Sequence, residues 1–243
     1  TGLINFGHVA FMAIGAYTLV ILYNHGLPFI LSVIYAVALA GIAGLLLAIP
    51  TAKLREDYLA VLTIGFSTVV TAIIKNEGWL TGGTMGTGLG LDLGNIPIFG
   101  SRFYLALFVV IISIIVLYFL LERAISSPWG RVLKAIREDE DVARAVGKDV
   151  FSYKTQSLVI GSAIAGFSGV LWVLYYSYIH PDMFLPIVTF YAWIIIVIGG
   201  TGSNLGTVVG GFVFWFMFSG TRFIGDFVPI PEVRFGAVRM AII

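Results

Sequence analysis

A polar island, residues 122–154, interrupts an otherwise almost uncharged chain and reads ERAISSPWGRVLKAIREDEDVARAVGKDVFSYK. It holds half of the 14 Lys and Arg residues. A soluble domain carries about 25% charged residues; this chain carries 11%, against 59% hydrophobic, and its mean hydropathy is +1.00. That charge cannot cover a water-facing surface, so the regions flanking the island require lipid. Residues 29–49, 103–121 and 155–179 contain no charge, and each reaches the length of about 20 apolar residues that a bilayer core demands. Residues 58–74 form a shorter candidate span, and residues 1–22 are uncharged apart from a protonated form of His8. The chain starts without Met and stops inside the apolar run 240–243, so further helices are expected beyond both ends.

Positive residues in short loops mark the cytoplasmic side. The island, 122–154, therefore lies inside, and one span back the segment 75–102 lies outside. Another span back, Lys53 and Arg55 fall inside again, so the counts agree. Residues 183–221 carry no charge but are too long for one straight helix. They break at Gly199-Gly200-Thr201-Gly202-Ser203-Asn204, which predicts a half-helix that crosses or re-enters, a turn, and a second helix over 205–219. Gly202, Gly206 and Gly210, and likewise Gly41 and Gly44, have the spacing that lets helix backbones approach in lipid. Packing is the plain reading of these glycines, and lining of a pore is the other. The run 3–11 is also interrupted, by Asn5, Gly7 and His8. Two broken apolar segments fit discontinuous helices around a transport path. Asn5, Gly7, His8, Gly199, Gly200 and Gly202 are accordingly candidates for that path. For Asn5 and His8 the simpler role is to satisfy backbone groups at a helix break.

Much chemistry is excluded. A net charge of +1 offers no basic stripe for nucleic acid. With no cysteine there is no disulfide, thiol nucleophile or thiolate metal site. No cleaved leader pattern opens the chain. Neither a G-x-x-x-x-G-K-[ST] phosphate loop nor H-E-x-x-H nor G-x-S-x-G occurs. His8, His25 and His180 are scattered, so no metal site and no catalytic residue is expected. An ionisable group at mid-bilayer usually marks an ion or proton path, and the clear spans hold none. Energy for transport therefore comes from outside this chain.

The island parses into two helices. Ser126 or Ser127 caps the first, with Pro128 in its first turn, and Val132, Leu133 and Ile136 form its apolar face. Asp139 caps a second, short helix running to Val146, and Gly147 ends it. On that helix Val142, Ala145 and Val146 share a face beside Arg144. Such a helix docks into a groove on a soluble partner or lies on the membrane surface as a connector.

The segment Asp141-Val142-Ala143-Arg144-Ala145-Val146-Gly147 resembles the E-A-A-x-x-x-G loop of ABC-importer permeases, with Asp141 where Glu is usual and Val142 where Ala is. Further blocks resemble the branched-chain amino acid permeases of that class. Residues 2–17, GLINFGHVAFMAIGAY, are similar to their G-L-x-S-x-G-x-x-x-F-x-x-I-G-A-Y block, with Asn5 in place of Ser. Residues 54–60 are similar to L-R-G-x-Y-x-A, with Glu56 in place of Gly, and 80–86 to an external L-T-G-G-x-x-G. Residues 135–140 and 199–203 match as well. The tyrosine block and the external Gly loop point to the M-type permease subunit of branched-chain amino acid ABC importers. The resemblance implies one transmembrane domain over 1–243: an all-α integral membrane protein, a polytopic helical bundle with Gly-broken or re-entrant helices and one cytoplasmic coupling loop. It implies a prokaryotic plasma membrane, a second homologous permease subunit, two cytoplasmic ATP-binding subunits carrying ATP and Mg, and an external substrate-binding protein. Residues 140–147 become the contact with the ATPase, and Thr81, Gly82 and Gly83 the border of the contact with the binding protein. Branched-chain or other neutral amino acids are the implied cargo, with urea or short amides as the alternative. An ATP-independent carrier or channel for a small neutral solute is the competing class.

Overall fold

The computed structural model describes residues 5–51, 56–90 and 102–227, with the side chains of 56, 57, 102 and 221–227 outside that description. Lys53, Arg55 and residues 2–4 of the N-terminal block lie outside the described residues. Ten α-helices are described: α1 His8–Asn24, α2 Phe29–Thr51, α3 Glu56–Asn76, α4 Gly78–Thr81, α5 Arg102–Ser126, α6 Pro128–Glu138, α7 Glu140–Ala145, α8 Val150–Tyr176, α9 Pro186–Gly199 and α10 Asn204–Phe227. One two-residue strand pair joins them, β1 Thr87–Gly88 and β2 Tyr178–Ile179. The chain is thus a polytopic helical membrane protein. In hydrocarbon each backbone N–H and C=O needs a partner within its own segment, and only the helix supplies that for a single span. Among the described residues five segments are long and apolar enough to cross: Phe29–Thr51, Tyr58–Asn76, Phe103–Ser126, Val150–Tyr176 and Pro181–Gly199.

The described residues fall into two compact units, divided between Thr189 and Phe190. In the first, α1 is the central element: Val9, Ala10, Phe11, Ala13, Gly15, Ala16, Tyr17, Leu19 and Val20 are all buried. It packs on α2 and α8 through small residues. A Cβ on Gly15 would lie 2.1 Å from the Gly166 carbonyl oxygen, and one on Gly44 2.3 Å from Ser162 Oγ. Gly166 faces Phe11 and Gly15, while Gly169 faces Met12 and Ala16. Both positions advance together, so α1 and α8 run the same way. Gly166 meets Ala36 and Ala40, whereas Gly44 meets Leu158 and Ser162, so α2 runs opposite. Helices α1 and α8 thus share one direction and α2 takes the other.

In the second unit α9 and α10 form a hairpin. Gly200 and Gly202 take left-handed φ of 88° and 95° in the turn, a conformation that costs other residues about 1–2 kcal/mol. Gly199 meets Gly206 backbone to backbone, and Gly210 meets Ile195. Tyr191, Phe214 and Phe218 stack along the hairpin. The second helix is longer than the predicted 205–219, and Pro181–Gly199 is long and apolar enough to cross a membrane. Of the three glycines spaced by four, Gly206 and Gly210 pack, whereas Gly202 makes the turn.

Two boundaries differ from the sequence reading. The span expected at 155 begins at Val150, because Asp149 caps α8 by accepting from Ser152 N–H at 3.2 Å. Lys154 therefore lies on a membrane-spanning helix. The segment 75–102, expected as an external loop, is not a plain loop: α4, a 3₁₀ turn at Gly83–Met85 and β1 occupy its first half.

Candidate functional site

The polar island, residues 122–154, is a built platform. Ser127 Oγ accepts from Gly130 N–H at 3.4 Å, and Pro128 stands at the first position of α6. A Cβ on Gly130 would sit 2.2 Å from the Ile125 carbonyl oxygen, so only glycine permits this tight departure from α5. Ile136 of α6, Ala143 of α7 and Val150 of α8 then close a small core of their own, with Val132 and Tyr153 against it. Trp129 Nε1 donates to Gln156 Oε1 at 2.9 Å, tying α6 to α8.

A six-residue helix does not persist alone in water, since nucleation costs more than so few hydrogen bonds return. Both ends of α7 are therefore secured. Asp139 Oδ1 accepts from Asp141 N–H and Val142 N–H, each at 2.9 Å. At the far end Gly147 has φ 80°; its N–H bonds Arg144 O at 3.0 Å, while Lys148 N–H bonds Ala143 O at 3.2 Å. Those two bonds form a Schellman closure. Glu140 and Asp141 in the first turn and Arg144 in the last complement the helix dipole. Ala143 points inward at 2% exposure, whereas Val142 at 59%, Val146 at 69% and Ala145 face outward. Glu140 Oε2 reaches Lys154 Nζ at 2.5 Å, and Arg144 bridges Glu140 at 2.8 Å and Asp141 at 3.0 Å.

The break before α1 gathers another polar set. Gly15 lies against Gly166, so His8 is level with the third turn of α8, about 14 Å from its start. Helix α1 thus begins inside the apolar layer, where its first N–H groups need protein partners. Asn5 Oδ1 accepts from Gly7 N–H at 2.7 Å, Thr63 Oγ1 from Phe6 N–H at 3.0 Å, and Thr189 Oγ1 from Val9 N–H at 3.3 Å. Asn5, Gly7 and His8 are brought together here with Thr63 of α3 and Thr189 of α9. Gly199, Gly200 and Gly202 belong to the hairpin of the second unit.

In the segment that follows α3, Thr81 and Gly83 are buried and Gly82 is exposed. Thr81 Oγ1 bonds Ile74 O at 2.7 Å and Glu77 O at 2.8 Å, and accepts from Gly83 N–H at 3.2 Å. These residues fold the turn that delivers β1 to β2, where Thr87 pairs Ile179 and Gly88 pairs Tyr178. Asn24 holds the pair from α1, donating to Gly88 O at 2.9 Å and accepting from Gly90 N–H at 3.1 Å. Tyr178 Oη donates to Met85 O, and Lys75 and Asp182 meet at 2.8 Å. Gly86 has φ 80°, and a Cβ there would lie 2.1 Å from Ile179 O; Gly26 has φ 93° with open space around it. Gly86→Ala is expected to destabilise by more than the about 1–2 kcal/mol of the left-handed conformation alone, and Gly26→Ala by that much only. Thermal unfolding of the two variants in detergent checks the difference.

Among the described residues no group of three or more His, Asp or Glu side chains converges as a metal site. What the fold and the platform define is a permease-type membrane protein: a bundle packed through small residues, with a buried central helix and a capped short helix presenting an apolar face. Residues 1–243 match the family described as branched-chain amino acid transport system / permease component, and the chain belongs to that family. It is similar to the high-affinity branched-chain amino acid transport system permease protein LivM of Escherichia coli strain K12, 32% identical over 234 residues, covering 86% of this chain and 55% of that protein. The probable branched-chain amino acid transport permease protein LivM of Methanocaldococcus jannaschii is 32% identical over 185 residues, covering 74% and 52%. The chain therefore spans about half the length of the curated relatives it matches. No solved structure matches it significantly.

Proposed function

We propose that the chain is a membrane permease of an ATP-driven, binding-protein-dependent importer of branched-chain or other neutral amino acids in a prokaryotic plasma membrane. The observation that carries this reading is α7: a helix fixed at both ends and on its inner face, which leaves Val142, Ala145 and Val146 bare to the cytoplasmic side. A floppy connector does not need two caps. A lever does, because coupling requires a contact whose energy differs between two states. In this reading two cytoplasmic ATP-binding subunits hold ATP and Mg and close beneath the membrane, pressing on residues 140–147. A second permease completes the conduit, and an external binding protein supplies the solute near the clasp around Gly82. Specificity then resides largely in that external protein, so the conduit needs only weak internal contacts such as those around Asn5 and His8.

Vesicle reconstitution tests the reading. The chain alone should pass no leucine. Together with its second permease, the ATP-binding subunits and the binding protein, it should accumulate leucine only when ATP is present inside the compartment that holds the ATPases. Solute flux through the chain alone without ATP would overturn this in favour of a carrier or channel. ATP-driven uptake of urea or short amides but not leucine would overturn the cargo.

A further inference from the structure

We propose that Lys154 is a positioning residue of the transport cycle: its ion pair with Glu140 pins α7 to α8 and carries displacement of α7 into the membrane-spanning core. The proposal rests on the reading of α7 as the ATPase contact. Two features join α7 to the rest of the platform. One is the Ala143 methyl in the small core with Ile136 and Val150. A single methyl contact is non-directional and sets no direction for a force passed from α7 to α8. The other is Lys154 Nζ to Glu140 Oε2 at 2.5 Å. The two differ in kind, because a charge-assisted hydrogen bond fixes both distance and direction.

Burial makes this pair stiff. The Lys154 side chain is 5% exposed and that of Glu140 36%. Water cannot stand in for the carboxylate at the lysine end, and a buried ammonium without its counterion is strongly disfavoured. Glu140 is itself held by Arg144, which also bridges Asp141, so the anchor reaches across the whole of α7. Glu140 opens α7 while Lys154 lies in the second turn of α8. From there α8 continues without proline to Ser162, which meets Gly44 of α2, and to Gly166 and Gly169, which meet α1 backbone to backbone. Each step in this line is a rigid element or a contact with no slack. A push on Val142 and Val146 thus arrives at the helix whose start forms the polar break at Asn5 and His8. The same pair supplies the buried Lys154 ammonium on α8 with its counterion.

The test uses the full reconstituted complex, with three readouts: recovery of the ATP-binding subunits, ATP hydrolysis, and ATP-dependent uptake. In Lys154→Gln the complex should assemble and hydrolyse ATP, while uptake per ATP falls by at least about tenfold, as for a positioned charge that has lost its partner. Lys154→Arg, which keeps the charge and the donors, should recover most of the ratio. A purely structural role would lower recovery and leave the ratio for assembled complexes unchanged. An unchanged ratio in Lys154→Gln, or a ratio in Lys154→Arg as low as in Lys154→Gln, overturns the proposal. Should Lys154→Gln fail to assemble, Glu140→Gln decides, since that side chain is partly solvated: a fallen ratio supports the strut and a wild-type ratio overturns it. ATP-independent flux in the unaltered complex would instead refute the importer reading itself, so the two failures look different.

Discussion

Ala145→Asp is expected to cut ATP-driven uptake severely while leaving the chain folded. Ala145 closes α7 on its exposed side and takes no part in the core of Ile136, Ala143 and Val150. Both caps, at Asp139 and Gly147, are untouched by the change. A carboxylate in the last turn opposes the helix dipole, which costs about 0.3–1 kcal/mol. Repulsion from Asp141, four residues earlier, adds about 0.2–0.5 kcal/mol. Neither threatens the bundle. Docking is another matter, because a carboxylate buried without a partner in an interface costs roughly 2–5 kcal/mol or more. Uptake should therefore fall by about thirtyfold or more on the ordinary conversion of 1.4 kcal/mol per tenfold. The measurement pairs uptake in vesicles with recovery of the ATP-binding subunits on an affinity-tagged permease. Ala145→Ser, which adds a small hydroxyl that can face water, should stay near wild type. Unchanged uptake and unchanged ATPase stimulation in Ala145→Asp would remove α7 from the coupling path.

The parts of this protein that were legible in its sequence are the local ones. Ser127, Pro128, Asp139 and Gly147 act within three or four residues of themselves, so their spacing to the helices they start or stop is visible in one dimension. Spans follow from the uncharged runs for the same reason. Pairings across the bundle are another matter. Gly41 and Gly44 announce a small face, yet nothing near them names Ala163 and Ser162 as what that face meets. Lys154 ended an apolar run and so counted as loop; its counterion lies 14 residues away on another helix. Thr63 and Thr189 escaped notice because a threonine in an apolar helix ordinarily bonds a carbonyl one turn back. Thr63 does that too, at 2.9 Å from Ala60 O, while its other lone pair accepts from Phe6 N–H. The β1–β2 pair joins segments some ninety residues apart with two residues each, too short for any alternation to mark.

Gly169→Val should prevent the folded protein from accumulating, whereas Gly161→Val on the same helix should be silent. A Cβ on Gly169 would fall 2.0 Å from the Met12 carbonyl oxygen and 3.0 Å from the Ala16 nitrogen, both backbone atoms; around Gly161 nothing lies within 4 Å. Helix propensity is the same at the two positions and mildly favours the change, since glycine is about 0.8–1.0 kcal/mol worse than alanine. The contrast therefore isolates packing. Backbone cannot rotate out of the way as a side chain would, so α1 must move off α8 as a body. In lipid no hydrophobic force between helices compensates, because acyl chains solvate apolar side chains as well as another helix does. Separating α1 also opens the junction where Gly166 of α8 meets Ala40 of α2 and Phe11 of α1, and disturbs the bonds from Phe6 N–H to Thr63 and from Val9 N–H to Thr189. Ordinary overpacking costs about 1–3 kcal/mol; a backbone collision at the most buried helix of the bundle should exceed about 4 kcal/mol, the range reserved for lost architecture. The amount of monodisperse protein extracted in mild detergent, and its unfolding temperature, check both variants. If Gly169→Val accumulates and melts like the wild type, α1 and α8 do not touch where the small residues place them, and the route from α7 through α8 to the break at His8 is cut.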